Sequence, residues 1–122
     1  MFGRHQRATR LLQAERSLRA SELRLRQVLD ESKAVVFWKD LHGRYLFVNR
    51  EFCRLVGKLP EQVIGRSDVD VMPVEVAARL RANDGQVEQS KQTITFEEQV
   101  VFGGRLRTYL VDKFPLLDAS GS

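Results

Sequence analysis

Apolar residues change their spacing several times along this chain, and each change predicts an element. From position 11 to 29, LLQAERSLRASELRLRQVL, they recur at alternating intervals of three and four. Leu11, Ala14, Leu18, Ser21, Leu25 and Val28 fall on one stripe, with one polar member. The stretch has no Gly or Pro and is rich in Leu, Arg, Glu and Ala, so it predicts an amphipathic helix with a heptad seam. Two and a half heptads, roughly, are too few to stand alone as a coiled coil. The stripe therefore needs cover, either the chain's own sheet or a second copy.

After Lys33 the pattern becomes dense and β-branched. Val35, Val36, Phe37 and Trp38 predict a strand. Asp40-Leu41-His42-Gly43, with Asp first and Gly fourth, has the chemistry of a type I turn leading into a bulge. A second strand follows over 44–48, with Tyr45 and Phe47 expected on one face and Leu46 and Val48 on the other, so that both faces need cover. Asn49 is placed to cap a short helix, Arg50 to Val56, that Gly57 ends. Pro60 starts another short turn and Gly65 stops it. Pro73 opens a longer helix to about Ser90, with Val76, Leu80 and Val87 on one stripe and Gly85 a tolerated interruption. Alternation returns from Thr93 to Phe102 through Ile94, Phe96, Val100 and Phe102. Gly103-Gly104 then turns the chain into a last strand, Arg105 to Leu117. Asp118-Ala119-Ser120-Gly121 repeats the Asp-x-x-Gly turn and announces a further strand that this sequence does not contain.

At 122 residues and 43% hydrophobic, the chain suits one core with an appendage. The net charge of +4 is unevenly spread. Residues 1–26 carry seven Arg against Glu15 and Glu22, a balance of +5, and the remainder sums to −1. With Phe2 as its only aromatic residue, the basic segment lacks the groove-reading partners of a specific nucleic-acid site. No run approaches the roughly 20 apolar residues of a membrane helix, and no signal peptide precedes the helix, which predicts a soluble cytoplasmic protein. Cys53 is the only cysteine, expected as a buried structural thiol, and no metal-ligand spacing surrounds it.

In this order of elements the chain resembles the PAS family of sensor domains. The resemblance runs from about Leu25 to Gly121. FWKDLHGRYLFVNREFCRLVG, LPEQVIGRSDVDVMP and FEEQVVFGGRLRTYLVDKFPLLDASG carry it. It implies an α+β fold, an antiparallel five-stranded sheet cupping a ligand beneath short helices, with the last strand in the middle of the sheet beside the first strand and the strand at 105–117. That central strand is the one expected to be missing, which suggests either a longer chain or a filling segment from elsewhere. Domains are expected at 1–29, a signalling helix, and 30–122, the sensor.

Flavin-binding members of that family place a reactive cysteine within a Gly-Arg-Asn-Cys run. The matching residues here are Gly65-Arg66-Ser67-Asp68, and a carboxylate cannot form the adduct. Haem-binding members use a histidine on the long helix, and 73–91 has none; His5 lies in the basic lead and His42 at a turn tip. Neither cofactor is expected. The inward-projected residues, Phe37, Phe52, Val56, Ile64, Met72, Leu80, Phe96, Leu110 and Phe114, suggest either an apolar small molecule such as a fatty acid or a filled core. Asp68, Asp70, Glu97 and Glu98 are candidate acid or base groups, with Tyr45 or Tyr109 as a candidate partner. Solvated charges or salt bridges to Arg66, Arg105 and Arg107 are the expected role, so no enzyme is predicted. The expected function is a regulatory sensor or interaction domain attached to an effector, self-associating through Leu11, Leu18, Leu25 and Val28. The alternative is a ligand-free structural dimerisation domain.

Overall fold

In a computed structural model that describes residues 2–102 and 104–116, the N-terminal pattern forms one helix, α1 (Phe2–Glu31), longer than the heptad seam that predicts it. A short connector leads to β1 (Phe37–Lys39) and β2 (Tyr45–Val48). The turn between them has the expected chemistry. Gly43 N–H donates to the Asp40 carbonyl, and the Asp40 carboxylate accepts from the backbone of His42 and Arg44. Gly43 adopts φ of +79°, where any L side chain is strained, and a Cβ there would also displace the movable end of Arg81, 2.6 Å away.

The pairing of β1 with β2 corrects the expected alternation. Trp38 faces Phe47 but Lys39 faces Tyr45, so Leu46 is an extra residue on β2, a bulge. One residue of slip turns Tyr45 to the face of Val48, where it packs with Phe52 and Val63. Phe47 remains on the opposite face, stacked on Trp38 at 4.2 Å and covered by the Arg26 guanidinium of α1. Leu46 is left 54% exposed, so β2 is not apolar-covered on every residue.

Asn49 caps α2 (Arg50–Val56), its side chain accepting from Phe52 N–H, and Gly57 ends the helix at φ of +70°. A single 3-10 turn spans Pro60–Gln62. The segment after it returns to the free edge of β2, where Gly65 N–H donates to the Tyr45 carbonyl and Tyr45 N–H to the Arg66 carbonyl. Residues 68–71 form a further one-turn helix, α3 (Asp68–Val71), because the Asp70 carboxylate accepts from Ser67 N–H and steadies its first turn. The long helix α4 (Val74–Ser90) follows. It buries Val76, Ala77, Leu80 and Val87.

β3 (Ile94–Phe102) and β4 (Arg105–Lys113) form a nine-residue antiparallel hairpin. Among the described residues β1–β2 and β3–β4 are two separate two-stranded sheets, with no ladder between them. The tetrapeptide turn at 118–121 lies outside the described residues, and β4 ends at Lys113, short of the expected 105–117, since residues 114–116 are not strand. The core is correspondingly in two parts. Tyr45, Val48, Phe52 and Val63 make one cluster; Val76, Leu80 and Val100 make the other, and Met72 packs against both. No helix is long and apolar enough to cross a membrane, among the described residues.

Candidate functional site

Two polar constructions join these parts, and neither was read from the sequence. The first is a chain of buried ionic groups across the inner faces of both sheets. Lys39 ends β1, and the bulge beside it turns Tyr45 inward; the return of 65–67 along β2 brings Asp68 beside that phenol. Tyr45 OH donates to Asp68 Oδ1, and Lys39 Nζ reaches Asp68 Oδ2 at 2.7 Å. Lys39 Nζ also lies 2.8 Å from Asp84 Oδ2 on α4. The other Asp84 oxygen holds Lys113 Nζ, from the end of β4, at 2.8 Å. Lys113 then pairs with Glu98 of β3 at 2.7 Å, and Asn83 donates to the same Glu98 oxygen. Asp84 is thus a staple, one carboxylate holding the last residue of a strand from each sheet.

Three carboxylates meet two buried ammoniums, and the partly exposed Arg81 guanidinium, 4.0 Å from Asp84, balances the third. Such burial is tolerable only when every group is bonded, and no buried side-chain nitrogen or oxygen among the described residues lacks a hydrogen-bond partner. Burial works to raise the Asp84 pKa, but the Lys39 charge and the hydrogen bonds from both lysines overcome it and hold that carboxyl below its usual range. The Tyr45 phenol is pushed far above its ordinary value, first by burial and then by the Asp68 charge, so it remains a donor. Lys39 also lies over the Phe37 and Tyr45 rings.

The second construction is Asn49, fully buried and bonded four times. Its amide donates to the carbonyls of Leu29 in α1 and Ala34 in the connector, both at 2.8 Å. Its oxygen accepts from Val36 and Phe52, both at 3.0 Å. One side chain therefore ties the last turn of α1 to the connector, to the end of β2 and to α2. Asp30 adds a bond to Arg50 N–H.

The structure separates the nine expected cup residues into groups. Phe37, Val56 and Met72 pack around Phe52 in the first cluster, and Leu80 belongs to the second. Phe96 is half-buried beneath Lys113. Ile64, Leu110 and Phe114 stand 40%, 79% and 58% exposed and do not line the interior. For Leu110 the reason is register: it faces Glu97, on the outer side of the hairpin, whereas Val111 faces Phe96. Asp68 and Glu98 are buried ion-pair members rather than solvated charges, and their partners are Lys39 and Lys113 rather than arginines. Cys53 is half-buried, its thiol pKa raised by burial and by Asp30 and Glu61. It lines an open groove of about 510 Å³ shared by α1, α2 and the segment after Gly57. The seam residues Leu11, Leu18, Leu25 and Val28 are 54–68% exposed, so the chain's own sheet does not cover them.

Two small antiparallel sheets with short helices, the first sheet fastened to a long N-terminal helix, define an α+β fold. The comparisons agree: the PAS-fold family model matches residues 29–122, and this chain belongs to the PAS family. Its fold is that of the PAS domain from Bordetella pertussis BvgS, with a TM-score of 0.66 at 20% identity over 84% of this chain and 78% of that one. The C4-dicarboxylate transport sensor protein DctS of Rhodobacter capsulatus is 34% identical across 96% of this chain and 18% of its own length. The aerobic respiration control sensor protein ArcB of Escherichia coli K12 is 29% identical across 80% of this chain and 13% of its own length. A diguanylate cyclase of Vibrio cholerae is 28% identical across 74% and 29%. The chain thus spans less than a third of each of these relatives. Its homologues are sensor domains within longer signal-transduction proteins.

Proposed function

We propose that this chain is the sensor and relay domain of a multidomain signalling protein, in which events inside the domain bias α1 and, through it, an attached effector. The observation that carries this reading is Asn49, whose four bonds give α1 and the sensor body a common buried joint. A relay of this kind needs a ligand or partner that favours one arrangement of that joint over another. The exposed Leu11, Leu18, Leu25 and Val28 support self-association through α1 as the output state.

The input we assign is an apolar small molecule such as a fatty acid, held against Phe37, Phe52, Val56 and Met72 with Leu80 beyond them. Neither flavin nor haem enters the proposal, since Asp68 is ion-paired to Lys39 and α4 carries no histidine. The second reading, a ligand-free dimerisation domain with a filled core, is favoured by the mutual ring contacts of Phe37, Tyr45 and Phe52 at 5.2–6.0 Å. Native mass spectrometry with solvent extraction separates the two. A retained apolar adduct that Phe52→Asp abolishes supports the ligand; a bare protein mass supports the filled core.

A further inference from the structure

We infer that the groove beside Cys53 is a binding site in its own right, and that it takes a small soluble anion carrying an apolar body. None of Phe37, Phe52, Val56 and Met72 lines it, so the site does not depend on a ligand in the core. α1 forms one wall with Arg26 and Asp30. α2 forms the other with Arg50, Cys53 and Arg54, and Lys58 and Leu59 extend it. At about 510 Å³ the space is of the size that holds small molecules.

The apolar part of the lining includes Val48, Cys53 and Leu59. Leu59 stands 59% exposed and belongs to neither core cluster, so an apolar body laid on it takes from water a surface that the fold leaves wet. The charges are sorted by place. Four cations line the groove against one carboxylate, Asp30, which already accepts from Arg50 N–H. The other acids nearby lie outside the lining. Glu51 holds Arg54 through two bonds, and Glu31 reaches Arg50 only at 3.7 Å, between side chains 70% and 68% exposed. Glu61, whose charge reaches Cys53, is exposed and enters no ion pair among the described residues. These four acids match the four cations in number, so no net field draws an anion in. What selects one is the pair of cations left over. Arg26 and Lys58 enter no ion pair among the described residues, and the Arg26 guanidinium lies over Phe47 without donating a hydrogen bond there. Both line the same groove, so one anionic head is within reach of their flexible side chains, and charge-assisted bonds favour it over a neutral head. Arg26 belongs to α1 and Lys58 to the body. Occupancy therefore adds a tie between them, close to the joint at Asn49.

The whole chain carries its own reporter. Cys53 is the single thiol and lines the groove, so an occupant shields it from N-ethylmaleimide, an uncharged reagent that the cations do not steer. The probe is 4-phenylbutyrate and the control its uncharged amide. We expect the probe to slow alkylation saturably, and the amide to need roughly tenfold more for the same protection. Lys58→Gln, at a residue outside both core clusters, and Arg26→Gln should each raise the half-protecting concentration about three- to tenfold. Hydrogen exchange in the last turn of α1 should slow with the probe bound. No protection would overturn the site, and equal protection by acid and amide would overturn the choice of an anion. Cys53 also packs against the first core cluster. Protection that both substitutions leave unchanged would therefore put the probe in the core, overturning the groove while supporting a core ligand. Protection without slowed exchange would overturn the tie to α1.

Discussion

Helices α1 and α4 carry the same apolar rhythm and meet opposite fates. On α4 the stripe Val76, Leu80 and Val87 is 4–6% exposed, packed under the β3–β4 hairpin. On α1 the stripe Leu11, Leu18, Leu25 and Val28 is 54–68% exposed. Periodicity says that a helix has a face to bury; it does not say against what. α4 adds polar fastenings to its stripe, with Asp84 on two lysines and Asn83 on Glu98. Near its last turn α1 is fastened by Asn49 on Leu29, by Asp30 and Glu31 on Arg50, and by Arg26 on Phe47. A helix anchored at one end and bare along its length is suited to report to something outside the fold.

Breaking the fastened helix should have the largest effect. Asp84→Ala leaves Lys39 and Lys113 without their shared carboxylate, and we expect a loss of about 3–5 kcal/mol in urea unfolding. Leu80→Ala, through its cavity, should cost about 2–4 kcal/mol, whereas Leu18→Ala on α1 should change the unfolding of the monomeric protein by less than about 0.5 kcal/mol. Similar losses at the two leucines would erase the distinction between the helices.

Asn49→Ala sharpens the comparison at the joint. It removes the side-chain partner of the Ala34 carbonyl and of the Val36 and Phe52 amides, and leaves the Leu29 carbonyl with Ser32 N–H alone, at about 1–3 kcal/mol for each group that water cannot reach. Hydrogen exchange should accelerate in the last turn of α1 and the first turn of α2 while α4 keeps its protection. Uniform acceleration would mean that Asn49 holds the whole fold rather than the joint.

Acid should act through α4. The Asp84 pKa is lowered in the folded state, so its contribution to stability is held above the unfolded carboxylate pKa of about 3.9 and lost as pH falls through the folded value. Asp84→Asn, less stable at neutral pH, should show a flatter decline on the acid side. At the small end of the scale, Leu110→Gln on the outer face of the hairpin should change stability by no more than about 0.5 kcal/mol.

Much of this was legible in the residues. Asn49 and Gly57 bracket α2, Asp40 and Gly43 make their turn, and the α4 stripe is buried because local chemistry and packing agree at those places. The bulge at Leu46 was not legible, because two apolar residues in succession satisfy either register, and it alone decides where Tyr45 points. The ionic chain was missed because its members lie far apart in sequence and each alone reads as surface charge. A signal was present: Glu98 falls in phase with Phe96 and Val100 on one face of β3. A charge inside an inward alternation is a demand for a buried partner, and Lys113 answers it from the paired strand.

In the function proposed above, α1 is the output element and its bare seam belongs to a second copy. Sedimentation equilibrium on the wild type and on Leu18→Glu/Leu25→Glu tests it most directly, with circular dichroism recorded on the same samples. We predict a dimer for the wild type and a monomer for the double variant, with the strand signal of the body unchanged because Leu18 and Leu25 stand 61% and 54% exposed and belong to neither core cluster. The same mass for both proteins, whether monomer or dimer, would contradict the claim.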